Sequence, residues 1–371
     1  MTVLEQLEPI MRELIAPQAM HTDRSASYPR DALQALGQAG LLGLISNPTV
    51  GGLGHGLPEA VQVVERIAQD CPCTAMVLTM HYCGTAYIEP LGSLAVRQAI
   101  AAGEHITTLA VSETATRSHI WAMTSEAAAQ SDGRVLISGE KSMITSAGQA
   151  DSYVWTTCAM QGQGNTLWLL NAKDAGFSVP RPFDGLGLRG NHSAPISAQQ
   201  VPTSLASRLG EDGQAEPLKA QYLMPYFATL IATTSIGLMQ GILRRAIAHI
   251  TASRFAESGS ALADLPTIRA YLAKAQLKAE QARLLRDDTV AAVLAARADK
   301  GMRLLQVKAA AAEAALEVSD TAMRICGGAA FRKELGIERL FRDARAACVM
   351  APTSDVLFDK IGTLLCDSPT S

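Results

Sequence analysis

Apolar residues at the start of the chain recur at helical spacing. Leu4, Leu7, Ile10, Met11, Leu14 and Ile15 fall on one face, and Pro17 closes the run. A second such pattern follows Pro29 and ends near Ser46-Asn47-Pro48. Residues 59–69 predict an amphipathic helix, whereas Cys73 to Glu89 is apolar almost all round, the mark of a buried helix. From Ile106 to about Pro202 the period shortens. Apolar, β-branched runs at 106–113, 134–141, 152–160 and 166–172 alternate with turn signals such as Ser131-Asp132-Gly133 and Gly162-Gln163-Gly164-Asn165, which predicts strands. Past a polar link at 203–217, long periodic segments return: Met224–Phe255, Leu265–Ala296 and Met302–Cys326. Their Ala content and scarcity of Gly predict a bundle of long antiparallel helices, the third stopped by Gly327-Gly328.

The pattern reads helical, β, helical. It predicts an α+β chain with an N-terminal helical domain at 1–108, a central antiparallel, barrel-like β-domain at 109–205 and a C-terminal long-helix bundle at 206–371. The 371 residues exceed one core of the usual ~100–200 residues, so several packed subdomains are expected. A net charge of −3 without a basic stripe argues against a nucleic-acid partner. No apolar run suggests a membrane span. The acidic start MTVLEQLEPIMRELI lacks the basic head and small-residue cleavage site of a secretory signal, so a cytoplasmic setting is expected. Seven scattered cysteines fit reduced thiols there. Cys71-Pro-Cys73 is too tight for half a zinc site and has no second half, so no metal is expected. The glycine-dense stretch Val50–Pro58 follows a helix and contains no Lys, which excludes a phosphate-cradling loop.

The most distinctive stretch is Met323–Asp355. It holds the Gly-Gly break, a basic loop, the run Glu338-Arg339-Leu340-Phe341-Arg342-Asp343-Ala344 and then Ala351-Pro352-Thr353-Ser354. Three further patterns precede it: Ala110-Val111-Ser112-Glu113, the run GEKSMITS from Gly139 to Ser146, and Leu186-Gly187-Leu188-Arg189-Gly190. In this order and spacing they resemble the signatures of the acyl-CoA dehydrogenase superfamily of flavoproteins. The resemblance implies FAD as cofactor, an acyl-CoA or acyl-carrier-protein substrate, and a homodimer or homotetramer. It places the hydroxyls of Ser112 and Thr145 at the flavin ring, where a group that both donates and accepts suits a redox-active ring. It puts Met143 where a tryptophan usually covers that ring, leaving a slimmer wall. Arg254 would reach the pyrophosphate, Gly327 and Gly328 would approach the adenine half, and Thr353 and Asp355 would add flavin contacts. Each position also has a plain alternative, a strand hydroxyl or a solvated arginine.

One expected residue is absent. Where the resemblance calls for a glutamate base, the chain has Ala351, which offers only its backbone N–H to polarise a thioester carbonyl. Segment 218–255 contains no Asp or Glu, so a base relocated to that helix is absent too. The candidate polar groups are then His81 on the buried helix and the cluster Arg117, Ser118 and His119. Their plain alternatives are a hydrogen-bonded core histidine and a polar loop. The leading expectation is FAD-dependent oxidation of an unusual acyl thioester with molecular oxygen as a partner. That monooxygenase or oxidase type is similar to the flavoproteins of tropone and tropodithietic acid biosynthesis in secondary metabolism. The alternatives are a conventional α,β-dehydrogenase passing electrons to an electron-transfer flavoprotein, and an inactive acyl-CoA-binding subunit.

Overall fold

The computed structural model describes residues 2–113 and 123–367. Six helices build the N-terminal part: α1 (Val3–Ile10), α2 (Ala16–Ser25), α3 (Arg30–Gln38), α4 (Leu57–Ala68), α5 (Pro72–Leu91) and α6 (Leu94–Ala101). Thr2 opens α1 with a reciprocal cap: its hydroxyl accepts from the Glu5 N–H at 3.2 Å while the Glu5 carboxylate accepts from the Thr2 N–H at 2.8 Å. The all-apolar pattern of α5 has its expected consequence. Every residue from Pro72 to Ile88 is buried.

Among the described residues eight strands follow: β1 (Thr107–Ala110), β2 (Glu126–Ala129), β3 (Arg134–Ile144), β4 (Ser152–Cys158), β5 (Asn165–Asn171), β6 (Phe177–Ser178), β7 (Ala194–Ser204) and β8 (Arg208–Leu209). They form two four-stranded sheets, ordered β1-β4-β5-β8 and β2-β3-β7-β6. Side chains such as Ile137, Trp155, Trp168 and Ile196 fill the core of this part. One pairing departs from the antiparallel expectation: β1 runs parallel to β4, with Thr107 opposite Ser152. A hairpin cannot join parallel neighbours; here β1 enters from the helical part, and β2 and β3 intervene before β4. The β3–β7 ladder slips between Lys141 and Ile144. Such a bulge re-aims side chains, and this one lies at the wall of the cavity described below.

The C-terminal part comprises α7 (Ala215–Leu218), α8 (Met224–Ala252), α9 (Pro266–Leu294), α10 (Lys300–Cys326), α11 (Ile337–Ala344), α12 (Ala346–Val349) and α13 (Ser354–Asp367). Central α8 packs against α4, α5, α9 and α10. Gly237 and Gly241 allow the approach to α4: a Cβ on Gly237 would lie 2.4 Å from the Glu65 carbonyl, and one on Gly241 2.0 Å from that of Gln69. The helical run Ala215–Ala252 corrects the expectation about membrane-length segments, since its length and mean hydropathy of 1.4 would suffice for a span. Its most apolar stretch is instead 83% buried among the other helices.

Candidate active site

A cavity of about 520 Å³ opens where the three parts meet. The β-part contributes Leu109, Val111, Ser112 and Ser142–Thr145. The linker before β7 adds Gly185–Leu188, Asn191 and Ser193; α5 adds Met80, α8 adds Phe227, and the α11–α12 end adds Arg345 and Val349–Ala351. The β3 bulge explains why four consecutive residues reach one space. Met143 adopts φ 54°, is 64% exposed and lines the cavity, while Thr145 is buried with its hydroxyl 3.1 Å from that of Ser193. Ser112 is fixed through its carbonyl, which accepts from the Ser142 N–H at 2.8 Å.

Behind this hydroxyl wall sits a buried ion pair. Lys141 Nζ lies 2.6 Å from Glu113 Oε1 and donates to the Thr156 carbonyl at 2.7 Å. The Glu113 carboxylate also accepts from the N–H and hydroxyl groups of Thr124 and Ser125. Burial pushes the Glu113 carboxyl up, but the Lys141 charge and these donors outweigh it and hold it at about 2. Burial likewise draws Lys141 down to about 8 against the attraction of Glu113. Both are charged at neutral pH.

The run 338–344 builds the wall from the other direction. Leu340 and Ala344 are core residues, and Arg339 and Asp343 are buried together with 3.6 Å between their charged atoms. Asp343 accepts from the Leu188 N–H at 2.7 Å, and burial raises its carboxyl to about 6. Arg342 grips Asp23 at 2.6 Å, Glu338 at 2.8 Å and the Leu186 carbonyl at 2.9 Å. Gly187 must be glycine here, because a Cβ would stand 2.5 Å from the Arg342 carbonyl.

The structure brings together Ser112, Met143, Thr145 and Ala351 on one cavity. Others lie elsewhere. His81 is a correction: it is fully buried, its Nδ1 accepts from the Thr107 N–H at 3.3 Å, and Nε2 meets the Leu42 carbonyl at 2.9 Å. Burial pulls its pKa down to about 4, and it does not line the cavity. It is a core histidine that joins α5 to β1. Arg254 is exposed and donates to the Gly259 carbonyl at 3.0 Å within a surface loop, away from the cavity. Gly327 and Gly328 are exposed with open space around them, also outside it. The Thr353 hydroxyl accepts from the Val356 N–H at 3.5 Å at the start of α13, and Asp355 is exposed on the first turn; neither lines the cavity. Arg117, Ser118 and His119 lie outside the described residues. Sequence reasoning missed Asn191, Ser193, Phe227 and Arg345. The first two sit just past the Leu186–Gly190 run, and no pattern marks them.

Matches to known domains cover these three parts in order. Residues 2–103 match the N-terminal domain of acyl-CoA dehydrogenases, 108–201 the middle domain and 220–365 the C-terminal domain. The chain belongs to the acyl-CoA dehydrogenase superfamily. It is 26% identical to the cyclohex-1-ene-1-carbonyl-CoA dehydrogenase of Geobacter metallireducens, over 95% of this chain and 94% of that one. It is 28% identical to the 3-sulfinopropanoyl-CoA desulfinase of Paraburkholderia xenovorans, over 95% and 92%. The butyryl-CoA dehydrogenase of Megasphaera elsdenii superposes with a TM-score of 0.91 at 20% identity, covering 98% and 97% of the two chains. As an oxidoreductase of this superfamily the chain acts on acyl-CoA thioesters, and its cofactor is FAD. The cavity suits a planar ring with a polar rim: Leu109, Val111 and Phe227 give apolar walls, while Ser112, Thr145 and Ser193 give hydroxyls.

Proposed function

We propose that this acyl-CoA dehydrogenase-like protein oxidises an unusual acyl-CoA without a side-chain carboxylate base, and that oxygen is the electron acceptor. One observation carries the first part. Among the described residues lining the cavity there is no Asp or Glu, and Ala351 occupies the position where the superfamily resemblance calls for the base. Three cations do line it, Lys219, Arg342 and Arg345, so it suits anionic ligands. When bound, FAD supplies a two-electron acceptor for the substrate. Ser112 and Thr145 hold the polar rim of the ring, and the Ala351 N–H donates to the thioester carbonyl, which acidifies the adjacent carbon. A substrate whose proton is already acidic, or a conjugated acyl group, then needs no built-in carboxylate.

The exposed Met143 supports oxygen access, since it forms a slim wall on the open side of the cavity. The proposed assembly is a cytoplasmic homodimer or homotetramer, supported by the exposed Leu277, Leu284 and Leu294 of α9. The testing experiment assays a panel of alicyclic and straight-chain acyl-CoAs under air and under nitrogen. Expected is turnover that needs air, favours conjugated or ring acyl groups and gains nothing from an electron-transfer flavoprotein. Fast anaerobic turnover with that flavoprotein would establish the conventional dehydrogenase instead, and a colourless protein that takes up no FAD would contradict both enzyme readings.

A further inference from the structure

Lys308 of α10 is 1% exposed. Its Nζ donates to three main-chain carbonyls, those of Pro352 at 2.8 Å, Met350 at 3.1 Å and Ala347 at 3.4 Å. It forms no ion pair among the described residues. Of the elements packed against α10, namely α8, α9, α11, α12 and α13, among the described residues only α12 presents a titratable group that acts on Lys308, the Cys348 thiol. An ammonium has three donors and no acceptor, so the three carbonyls use it fully. Those of Met350 and Pro352 flank Ala351, and that of Ala347 belongs to α12 just before it.

The Met350 carbonyl is the informative one. It shares a peptide group with the Ala351 N–H, and that bond is trans. A trans peptide group is planar, with its C=O and N–H pointing in opposite directions. Anchoring the Met350 oxygen on Lys308 therefore turns the Ala351 N–H away from α10, and Ala351 lines the cavity. That N–H donates to no group among the described residues. A donor on the carbonyl also polarises the peptide and strengthens its N–H as a donor.

The geometry points to Lys308 as the positioning residue that aims the Ala351 N–H at the thioester carbonyl, an inference that rests on the role proposed for that N–H above. Lys308 does not touch the substrate. It acts through the segment 347–352, and the lack of a carboxylate at 351 leaves this N–H as that segment's contribution to the chemistry.

The test uses the FAD-loaded protein and cyclohexanecarbonyl-CoA labelled with ¹³C at the thioester carbonyl, read by infrared difference spectroscopy. In the wild type the bound carbonyl band should fall to lower wavenumber than in free solution. In Lys308→Met it should return toward the free position, with binding of this acyl-CoA weakened about tenfold, the loss expected for one hydrogen bond of ordinary strength. CoA lacking the acyl group should bind both proteins equally. Lys308→Gln keeps two donors and no charge, so it should give an intermediate band, and it serves if the Met variant does not fold. Burial draws the Lys308 pKa down to about 8. The wild-type shift should therefore decline as pH rises through that value, while Lys308→Gln, which retains Cys348, should show no such decline. A shift equal in wild type and both variants would overturn the role of Lys308 and leave that of the Ala351 N–H standing. No shift in the wild type would overturn both.

Discussion

Lys141 and Lys308 stand behind two walls of the same cavity, both buried and both drawn down to about 8 by burial, yet they are held differently. Lys141 has a carboxylate partner, Glu113, at 2.6 Å. Lys308 has three backbone carbonyls and, among the described residues, no counter-charge. The difference separates two ways of fixing a site. An ion pair concentrates dependence on one partner, because losing it strands a buried charge. A carbonyl cage spreads the dependence over several weaker bonds, and what it fixes is the direction of peptide groups. The first suits the hydroxyl wall, where the segment after β1 bridges to β3 through Glu113 and Lys141. The second suits the turn at Ala351, where the chemistry depends on an N–H.

The comparison breaks most readily at Glu113. Glu113→Ala should destabilise the protein by about 3–5 kcal/mol, measured by urea unfolding, because Lys141 is left buried without its partner and must either hold an unpaired charge or give up its proton. Glu113→Gln with Lys141→Met should recover much of that loss. Acid provides an independent reading. Glu113 is held at about 2, well below an ordinary carboxyl. Its contribution is thus fully present above the unfolded value of ~4.3 and is lost as pH falls toward 2, so the Gln variant should lose less stability over that window than the wild type. Lys308→Met should cost less, about 1–3 kcal/mol, since it orphans carbonyls and no charge. If it costs as much as Glu113→Ala, the distinction between pair and cage fails.

The sequence reveals the fold well and the site in part. The switch from helical period to alternating strands and back marks the three parts, because each part buries a face whose spacing the backbone dictates. The parallel β1–β4 pair escapes such reasoning, since pairing direction depends on where a chain enters a sheet. Within the site, Ser112, Met143, Thr145 and Ala351 are legible through ordered motifs and meet at the cavity. His81 shows the limit: a histidine in an apolar helix has the same local pattern whether it faces a ligand or a carbonyl, and here Leu42 and Thr107 satisfy it. Lys308 shows the converse. A lysine in an Ala-rich helix reads as solvated surface, and only the turn folding back over it reveals its three partners. Motif residues such as Arg339 and Asp343 prove to be architecture, and Arg342 both lines the cavity and fixes the linker that forms one wall.

The hydroxyl wall gives a smaller effect than either lysine. Thr145→Ala removes one side-chain donor and acceptor, so FAD affinity or the rate of flavin reduction should fall about fivefold, near 1 kcal/mol. Ser112→Ala should act alike, and unchanged flavin spectra and kinetics in both would remove these hydroxyls from the site.

The smallest change is expected where a larger one would be easiest to imagine, at Ala351→Glu. A positioned general base contributes typically ~10²–10⁴-fold. The new carboxylate would instead meet a cavity with three lining cations and no carboxylate, on a turn whose next residue is Pro352 and whose peptide is oriented by Lys308. Proline fixes its own backbone torsion, so the turn has little freedom to bring a new side chain to the reacting proton. Anaerobic reduction of bound FAD by butyryl-CoA should therefore accelerate less than tenfold in this variant. An acceleration of a hundredfold or more would mean that the turn already holds the geometry of a base. The site would then lack only a single carboxylate, and the proposed change of chemistry would fall with that result.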